Sequence, residues 1–359
     1  MAPSPTLWQP HTLGRLELPH RLALAPMTRS RARADGTPHA SAAEYYRQRA
    51  GLGLLISEGT QPSAAGQGFL NSPGIHSPEQ IEGWRAIADA VHEEGGALFI
   101  QVMHAGRVSH PDNTANGSDP VGPSAIGADV DMFTPTGPQK TPVPRELTTS
   151  EVEGVVEEFR HAAASAVAAG ADGVELHAAN GFLLHQFLAP NANVRSDRYG
   201  GSVENRARLV VEVARAAAEE IGADRVGVRI SPAIGLGGLE EGTPSQVLEQ
   251  YLHLVSELAP LGLAYLHVLH LGDDELLRSI RSAWPTSLLV LRPGQERDRL
   301  GDDVEAGLAD VTPVGRLALA NPDLVERLRE GAALTEADPA TFYGGGDEGY
   351  VDYPVLARA

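Results

Sequence analysis

The sequence lacks cysteine entirely and has no long apolar stretch. Without one cysteine among its 359 residues, the chain can form neither a disulfide bond nor a catalytic thiolate. No run of 18 apolar residues is present that could cross a bilayer. The amino-terminal stretch has no basic region followed by an apolar one, so secretion is not indicated. These absences favour a cytoplasmic protein.

Basic residues are scarce relative to acidic ones. The chain has 28 Lys and Arg against 47 Asp and Glu, which gives a formal net charge of -19. Because such a surface repels phosphates, we expect neither nucleic acid nor a membrane as a partner. The expected partner is a small-molecule substrate, and the expected assembly is a monomer or a small homo-oligomer. An anionic ligand would have to be held by local arginines and backbone N–H groups.

Short apolar segments alternate with segments of helical periodicity along the chain. Their length and β-branched content are typical of buried parallel strands. We predict eight strands, at residues 21–27, 52–58, 97–103, 173–177, 226–230, 264–270, 287–291 and 311–314. Helices are predicted at residues 40–50, 78–94, 149–169, 203–221, 244–258, 274–283 and 302–307.

This alternation predicts an α/β fold, a closed (β/α)₈ TIM barrel formed as one domain over residues 1–359. An open doubly wound sheet is the alternative, but it needs a dinucleotide-binding fingerprint. The glycines of GLGGLEEG, residues 235–242, are loosely spaced and have no acidic partner at the end of a second strand.

One connection, residues 107–146, is long and rich in Pro, Gly, Ser and Thr. Structureless loops of that length in compact domains are usually lids or binding loops. This one leaves the carboxyl end of the third strand, which is the active-site face of a barrel. We therefore predict a lid-like insertion over that face, and a purely structural wrap is the alternative.

The predicted strand ends carry polar side chains that are mostly uncharged. In a barrel, these ends line one pocket. They contribute Pro26, Met27, Thr28, Glu58, Gly59, Gln101, Met103, His104, His177, Asn180, Arg229, Gly315 and Arg316. A metal-dependent hydrolase needs several His and Asp ligands there, often starting from a His-x-His pair on the first strand, which is missing. A serine nucleophile is not supported either, because no G-x-S-x-G elbow occurs.

The same residues suit a flat polar heterocycle that is bound by its edge. Thr28, Gln101 and the backbone of Gly59 can meet the edge of an isoalloxazine ring, and Arg229 can place positive charge near its N1. His177 and Asn180 can polarise a substrate carbonyl as an oxyanion hole does. The alternative is that this H-x-x-N pair merely caps the next helix.

Several longer motifs resemble the old yellow enzyme family of flavin-dependent ene-reductases. The resemblance runs from about Leu13 to Pro354, and its motifs are APMTR, EYYRQRAGLGLLISEGTQ, HSPEQ, QVMHAGR, ELHAANGFLLHQFLAPNANVRSDRYGGSVENRARLV, VGVRISP, GRLALANPDL and FYGGGDEGYVDYP. It implies a TIM barrel that holds FMN and takes hydride from NAD(P)H. It also implies that an α,β-unsaturated carbonyl compound accepts this hydride at Cβ and a proton at Cα.

By motif, the resemblance implies flavin contacts from Pro26, Met27, Thr28, Gly59, Gln101, His177, Arg229, Gly315 and Arg316. His177 and Asn180 resemble the pair that grips the substrate oxygen. The family commonly has a proton-donating Tyr two residues after Asn180, where this chain has Phe182, which has no hydroxyl to donate. An aromatic alcohol is usual at Phe69 and a large aromatic at Met103, whereas Tyr350 keeps its hydroxyl. These residues, with Thr28, are the predicted substrate pocket.

The phosphate end departs from the family as well. After strand seven the family has a glycine-rich turn, but this chain has Arg292 and Pro293, with Gly294 one position on. Proline donates no N–H. Arg292 is therefore a candidate phosphate ligand, and its alternative is to point to solvent. Pro313 is also expected to interrupt strand eight, because a barrel has no edge strand.

The resulting hypothesis is an FMN-dependent oxidoreductase that reduces activated C=C bonds with NAD(P)H. Because the usual proton donor is replaced by Phe182, a redox-neutral double-bond isomerase or a flavin-dependent dehydrogenase in a biosynthetic pathway is the alternative. A flavin-free protein is a third possibility.

Overall fold

The computed structural model describes residues 3–272 and 274–356. Its strands are β1 (His11–Leu13), β2 (Leu16–Leu18), β3 (Leu22–Leu24), β4 (Leu54–Ile56), β5 (Ala97–Val102), β6 (Val121–Gly122), β7 (Asp131–Thr134), β8 (Gly137–Lys140), β9 (Arg145–Glu146), β10 (Gly173–Ala178), β11 (Val226–Ile230), β12 (Tyr265–Leu269), β13 (Ser287–Leu291) and β14 (Thr312–Val314). Eight of them form one parallel sheet in the order β13-β12-β11-β10-β5-β4-β3-β14. The predicted (β/α)₈ barrel is confirmed.

Helices cover the outside of the barrel. They are α1 (Ser41–Arg47), α2 (Pro78–Glu93), α3 (Thr149–Ala168), α4 (Leu183–Leu188), α5 (Val203–Ile221), α6 (Pro244–Leu258), α7 (Glu275–Ala283), α8 (Asp302–Glu305), α9 (Arg316–Leu319) and α10 (Leu324–Glu330). Three of the long ones, α2, α3 and α6, start in capping boxes built on Ser77, Thr148 and Thr243. The sequence did not predict the short helices α4, α9 and α10.

Two apolar layers form the core. The larger layer lies between the strands and the helices, and the smaller one fills the barrel with side chains such as Phe99, Tyr265 and Leu289. Leu13 and Leu18, from the antiparallel hairpin of β1 and β2, join this inner layer. The hairpin therefore adds apolar side chains to the barrel interior, a role that the sequence did not predict.

Pro313 does not interrupt the last strand, contrary to the prediction. It lies inside β14 and pairs in register with Ala23 of β3. Thr312 N donates to Arg21 O and Val314 O accepts from Ala25 N, at the two ends of β3, so the nitrogen of Pro313 faces the other neighbour, β13. On that side the described residues form an isolated bridge between Leu289 and Val311 and three backbone hydrogen bonds, all of them before Pro313. The described backbone makes no bond to β13 at Pro313 itself, so the missing N–H is tolerated there.

Residues 107–146 are not structureless. They contain the antiparallel hairpin of β7 and β8, and a short parallel pair of β6 and β9. Ala128 and Met132 from this segment are buried in one cluster with Met103 and Phe182. The insertion therefore packs onto the carboxyl face of the barrel.

Several barrel strands end earlier than predicted. Strand β3 stops at Leu24 and β4 stops at Ile56, so residues 26–28 and 58–59 belong to loops on the carboxyl face. The earlier strand ends leave the candidate side chains at the same end of the barrel but place them on loop backbone rather than on strands.

Candidate active site

The carboxyl ends of the strands surround a cavity of about 550 Å³. Its lining includes ten of the predicted site residues, Pro26, Met27, Thr28, Gln101, Met103, His177, Asn180, Phe182, Arg229 and Arg316. The lining also contains four residues that the sequence did not predict, Arg29, Leu319, Phe342 and Tyr343. The volume is typical of small-molecule and cofactor sites.

His177 and Asn180 lie at the end of β10 and in the turn that follows it. Asn180 has a φ of 58°, a left-handed conformation that asparagine tolerates better than most residues. Its backbone N–H donates to Ser231 Oγ at 2.8 Å, which ties the turn to the loop after β11. His177 Nδ1 and Asn180 Oδ1 are buried without hydrogen-bond partners in the described part of the chain. Two polar side chains are thus available to a ligand.

The imidazole of His177 is neutral near pH 7. Burial, and after it the positive charge of Arg229, lowers the pKa of His177 well below its ordinary value. A neutral imidazole donates one hydrogen bond and accepts another. It therefore polarises an oxygen by donation rather than by carrying charge.

Apolar side chains cover this pair from one side. The ring of Phe182 meets the His177 ring edge to face, with centroids 4.9 Å apart. Phe69 packs in the same manner against Phe182 at 5.9 Å, so it lies one layer behind the cavity lining. The position next to His177 therefore offers a ligand no hydroxyl.

Gly59 also lies behind the lining, under Met103. A side chain on Gly59 would place its Cβ 2.6 Å from Met103 Sδ, which is closer than atoms approach. The missing side chain at Gly59 therefore lets the Met103 thioether lie flat against the backbone, and Met103 takes the place at the cavity.

Arg229 is a buried cation without a hydrogen-bond partner. It is 3% exposed, its Nε has no partner among the described residues, and burial lowers its pKa. Arginine stays charged even so. The buried Glu175 supplies a nearby opposite charge, but no described residue accepts a hydrogen bond from the guanidinium, and a buried donor without an acceptor is costly. A ligand that brings electron-rich atoms to this wall of the cavity would remove that cost.

Gln101 is oriented from below by a buried carboxylate. Its side-chain NH₂ donates to Glu175 Oε1 at 2.7 Å, and Glu175 Oε2 accepts from the Tyr265 hydroxyl and lies 2.8 Å from His267 Nδ1. Burial by itself would raise the pKa of Glu175, but His267, Arg229 and Gln101 together hold it below its ordinary value. The carboxylate thus accepts a hydrogen bond from the NH₂ group of Gln101, and the carbonyl oxygen of Gln101 is left to face the cavity.

The end of the cavity that contains Arg316 is more exposed to solvent than the end that contains Gln101 and Arg229. Arg316 lines it and is exposed, and none of the described residues forms an ion pair or hydrogen bond with its side chain. Gly315 precedes it and lies against Met27, with a hypothetical Cβ 3.3 Å from the sulfur. Arg316 is the cation at this end that remains available to an anionic ligand.

Arg292, predicted as a possible phosphate ligand, is occupied by protein carboxylates. Its Nε and Nη2 donate to the two oxygens of Asp303 at 2.7 and 2.8 Å, and Nη2 also donates to Asp274 at 2.7 Å. These contacts raise its pKa, with Asp303 as the main cause. Neither Arg292 nor the exposed Gly294 belongs to the cavity lining. The charge of Arg292 is thus already paired with carboxylates, and the phosphate contacts of Arg292 and Gly294 stay predictions.

Tyr350 does not line the substrate pocket either. Its ring is buried and stacks on Tyr45 with centroids 4.3 Å apart, and the guanidinium of Arg31 lies 4.6 Å from it. Burial raises the pKa of its hydroxyl well above the ordinary value. The prediction is wrong because the packing of the carboxyl-terminal segment turns Tyr350 inward and presents Tyr343 to the cavity instead.

The side chain of Arg29 holds this segment in place. It donates to the carbonyls of Thr341, Phe342 and Gly349 from within the fold. Phe342 and Tyr343 reach the cavity as a consequence. No local pattern in the sequence indicated this, although FYGGGDEGYVDYP was one of the motifs behind the family resemblance.

Other kinds of site are not supported by the described residues. Residues 3–272 and 274–356 contain no group of three or more His, Asp or Glu side chains arranged to hold a metal ion. Within the same ranges, every helix is too short or too polar to pass through a bilayer.

The residues around the cavity fit FMN unevenly. The ring of FMN has carbonyl and N–H edges and gains negative charge on reduction, and it would meet the unpaired Arg229, the Gln101 carbonyl and Thr28. Gln101 and Arg229 are buried, and Thr28 is partly buried. The phosphate would meet Arg316 alone among the lining arginines at the open end. The donor set therefore fits the ring closely and the phosphate weakly.

Comparison with known proteins gives a consistent result. The sequence profile of the NADH:flavin oxidoreductase / NADH oxidase family matches residues 6–335. The chain is 41% identical to 12-oxophytodienoate reductase 7 of Oryza sativa subsp. japonica, over 98% of this chain and 95% of that protein. It is 38% identical to a probable flavin mononucleotide-dependent alkene reductase of Leishmania infantum, over 97% of each chain.

Solved structures agree with these sequences. The structure of morphinone reductase in complex with tetrahydroNAD superposes with a TM-score of 0.93 and 42% identity. The match covers 99% of this chain and 98% of that one. Fold and sequence thus point to the same relatives over the whole length.

Proposed function

The chain belongs to the NADH:flavin oxidoreductase / NADH oxidase family, the old yellow enzymes, and from that membership we propose how its own residues reduce an activated C=C bond. It is an FMN-dependent oxidoreductase of the ene-reductase type that uses NAD(P)H. We propose that His177 and Asn180 hold the substrate oxygen and that the substrate is an α,β-unsaturated carbonyl compound.

One observation carries this assignment. Buried polar atoms of His177, Asn180 and Arg229 have no partner among the described residues, and all three side chains line the same cavity. Buried polar groups in folded proteins are nearly always satisfied. Because these atoms all lack partners around one cavity, we infer that a bound ligand supplies their hydrogen bonds.

The chemistry divides between the cofactor and the chain. FMN supplies hydride transfer between NAD(P)H and the alkene when it is bound. Arg229, Gln101 and Thr28 would hold and orient its ring, and Arg316 would hold its phosphate. Met103 and Phe182 exclude water from the reacting face, because both are apolar and nearly fully buried.

His177 and Asn180 act on the substrate oxygen. Hydrogen bonds from the neutral imidazole and the amide withdraw electron density from the carbonyl, and this makes the conjugated Cβ a better hydride acceptor. The effect grows as the oxygen becomes negative in the transition state, so it accelerates the reaction rather than only binding the ground state.

Alanine substitution of either residue tests this role. We expect His177→Ala and Asn180→Ala each to cost about 2 to 4 kcal/mol of transition-state stabilisation, as loss of an oxyanion donor does. The flavin content of the purified protein should barely change. The measurement is kcat/KM with cyclohexenone, together with a titration by 4-chlorophenol, whose charge-transfer band with the flavin reports ligand at this position. A band that survives both substitutions would rule the role out.

A second candidate function follows from Phe182. The residue that borders His177 carries no hydroxyl, and Thr28 and Tyr343 are the hydroxyl-bearing side chains on the lining. Without an acid beside Cα, the proton that Cα needs would come from solvent. An isomer would form if the α-carbon on the other side of the carbonyl lost a proton and its β-carbon returned a hydride, so that no net reduction occurs. We therefore propose redox-neutral double-bond isomerisation as the alternative activity of the same site.

Phe182→Tyr separates the two candidates. A positioned general acid contributes about 10² to 10⁴ in rate, so the variant should speed the oxidative half-reaction with an enone and leave reduction by NAD(P)H unchanged. Stopped-flow absorbance measures each half-reaction. If the wild type already reduces cyclohexenone rapidly and the variant changes nothing, another group such as Tyr343 delivers the proton, and isomerisation loses its support.

We propose that the chain acts as one domain over residues 1–359, with residues 107–146 covering the active site. The packing of Ala128 and Met132 against Phe182 supports this arrangement. We also propose a cytoplasmic enzyme that works on a free small molecule as a monomer or small homo-oligomer, in keeping with the absence of cysteine. Light scattering and cell fractionation test the assembly and the location.

A further inference from the structure

The turn that carries Asn180 is held from behind by two consecutive side chains of α4. Gly181 N donates to His185 Nδ1 at 3.1 Å, and Gly181 O accepts from Gln186 Nε2 at 2.7 Å. Both side chains are fully buried. The backbone polar groups of the residue next to Asn180 are therefore both occupied, and the left-handed conformation of Asn180 is fixed by its surroundings.

The bond to Gly181 requires one particular tautomer of His185. A ring nitrogen that accepts a hydrogen bond carries no hydrogen, so the hydrogen of the neutral ring must be on Nε2. Nε2 lies 3.0 Å from Glu241 Oε1, which is nearly fully buried, and 3.1 Å from the hydroxyl oxygen of Tyr251. Tyr251 donates its hydroxyl hydrogen to Glu241 Oε1 at 2.5 Å, so toward Nε2 the tyrosine oxygen can only accept. Because Glu241 takes the Tyr251 hydrogen and itself accepts at Nε2, it sets which side of the imidazole faces Gly181 as an acceptor.

Glu241 also ties in the loop after β11. Its second oxygen accepts from Ala233 N at 2.7 Å, and Ala233 has a φ of 57°, which is unusual for alanine. Ser231, at the start of this loop, accepts from Asn180 N. The loop also touches the turn directly, because a Cβ on Gly181 would lie 2.7 Å from the Cα of Gly237.

The state of Glu241 agrees with this arrangement. Burial by itself would raise its pKa, but the hydrogen bonds from His185, Tyr251 and Ala233 hold the pKa below the ordinary value. An ionised carboxylate accepts hydrogen bonds and cannot donate one to His185 Nε2.

We propose that His185 and Glu241 are positioning residues for substrate binding: Glu241 selects the Nε2–H tautomer of His185, and His185 Nδ1 then holds the Gly181 N–H so that Asn180 is aimed at the substrate oxygen. This inference rests on the proposed role of His177 and Asn180. Neither His185 nor Glu241 lines the cavity, so their effect passes through the turn.

Two substitutions of the same histidine test the inference. In His185→Asn the amide oxygen can occupy the place of Nδ1 and still accept from Gly181, whereas in His185→Gln the longer side chain reaches toward Glu241 and leaves Gly181 unpaired. We expect His185→Gln to weaken 4-chlorophenol binding about tenfold, as substitutions of supporting residues do, and His185→Asn to restore most of it. The titration uses the FMN-loaded enzyme.

Flavin content and Tm of both variants provide the control. A merely structural histidine would lower them in step with the phenol affinity and would not distinguish Asn from Gln. Equal phenol affinity in the two variants therefore overturns the inference, and so does a loss that follows the flavin content. Tyr199→Phe is the matched variant, because it removes the hydrogen bond from a buried tyrosine to a carboxylate, Glu212, without changing a partner of His185. It should lower Tm and leave the phenol affinity nearly unchanged.

The tautomer itself can be measured without substrate. The ¹⁵N shifts of the His185 ring, assigned by their loss in His185→Asn, should show hydrogen on Nε2 in the wild type and a shift toward Nδ1–H in Glu241→Gln. Hydrogen on Nδ1 in the wild type overturns the inference. If the wild type binds no phenol at the flavin, the role of His177 and Asn180 fails instead, and the ¹⁵N result still decides whether Glu241 selects the tautomer.

Discussion

The two ends of the active-site cavity are built on different principles. At the ring end, Gln101, His177 and Arg229 are each at most 3% exposed, and the buried Glu175 orients Gln101 by a hydrogen bond. At the phosphate end, the exposed Arg316 lines the cavity while Arg292 is neutralised by Asp274 and Asp303. The side chains at the ring end are thus shielded from solvent, whereas Arg316 at the phosphate end is exposed to it.

This difference indicates where cofactor affinity originates. A buried charge without hydrogen-bond partners gains much binding free energy from a ligand, because water and counter-ions do not compete for it. An exposed guanidinium already has water, and salt screens it. We therefore propose that this chain holds FMN mainly by the ring and much less by the phosphate.

The largest expected effect is at the ring end. Arg229→Met should weaken FMN binding about a hundredfold, because hydrogen bonds to a charged group are each worth about 1.5 to 3 kcal/mol. Riboflavin should lose as much as FMN does, since the contact is to the ring. Flavin fluorescence titration of the apoprotein measures both. A loss confined to FMN would place Arg229 at the phosphate and reverse the comparison.

The same variant has a distinctive effect on the apoprotein. Arg229 donates no hydrogen bond to the described residues, but its charge helps to keep the pKa of the buried Glu175 low. Methionine therefore removes a desolvated charge and also a counter-charge of Glu175, and these two effects on stability oppose each other. We expect the Tm of the apoprotein to change much less than the flavin affinity.

A smaller effect is expected at the phosphate end. Arg316→Ala should weaken FMN binding about tenfold, less than a buried charged contact would give, and should leave riboflavin binding unchanged. The ratio of the two dissociation constants is the measurement. Equal losses for both flavins would show that Arg316 contacts the ring or supports the fold instead.

A still smaller change in FMN affinity is expected when Arg292 loses a carboxylate partner. Asp303→Asn removes its bidentate partner, and we expect FMN to bind a few-fold tighter, on the order of 0.5 kcal/mol for a partly exposed charge. Asp302→Asn is the matched control, because it removes the same charge from the same helix but affects Arg299. Equal effects in both variants would mean that net charge, rather than Arg292, is responsible.

The smallest expected effect concerns pH: the ligand affinity should not depend on the ionisation of His177. Because burial and Arg229 keep His177 neutral, 4-chlorophenol affinity should show no histidine inflection between about pH 6 and 8 once the ionisation of the phenol is subtracted. In the unfolded chain this histidine takes up a proton below about pH 6.5, so it makes the fold less stable as pH falls through that value. An inflection near pH 6.5 that disappears in His177→Ala would contradict the neutral state.

The sequence predicted the barrel and most of the ring end for a physical reason. Parallel strands place their carboxyl ends on one face, so the order of strands was enough to bring Gln101, His177 and Arg229 together. The family resemblance supplied the same residues by motif, and the comparisons confirm the family.

What the sequence did not predict involves partners that are distant along the chain. Arg292 depends on carboxylates 11 and 18 residues away, and Tyr350 depends on a stack with Tyr45. Local periodicity carries no information on such contacts. Pro313 was misjudged because every position of a closed barrel was assumed to need its N–H, whereas the described backbone makes no bond to β13 at Pro313.

The junction between β13 and β14 has a consequence for how the barrel opens. There the described backbone forms an isolated bridge and three hydrogen bonds, all of them before β14 begins, whereas the other neighbouring strands of the barrel share registers of two to five residue pairs. At the carboxyl end of this junction the described strands make no ladder bond. Amide protons there should exchange with solvent earlier than those of β10 or β11, since fewer ladder bonds must break. A group that joins the loop after β13 to the start of α9 would hold this end closed and slow the exchange.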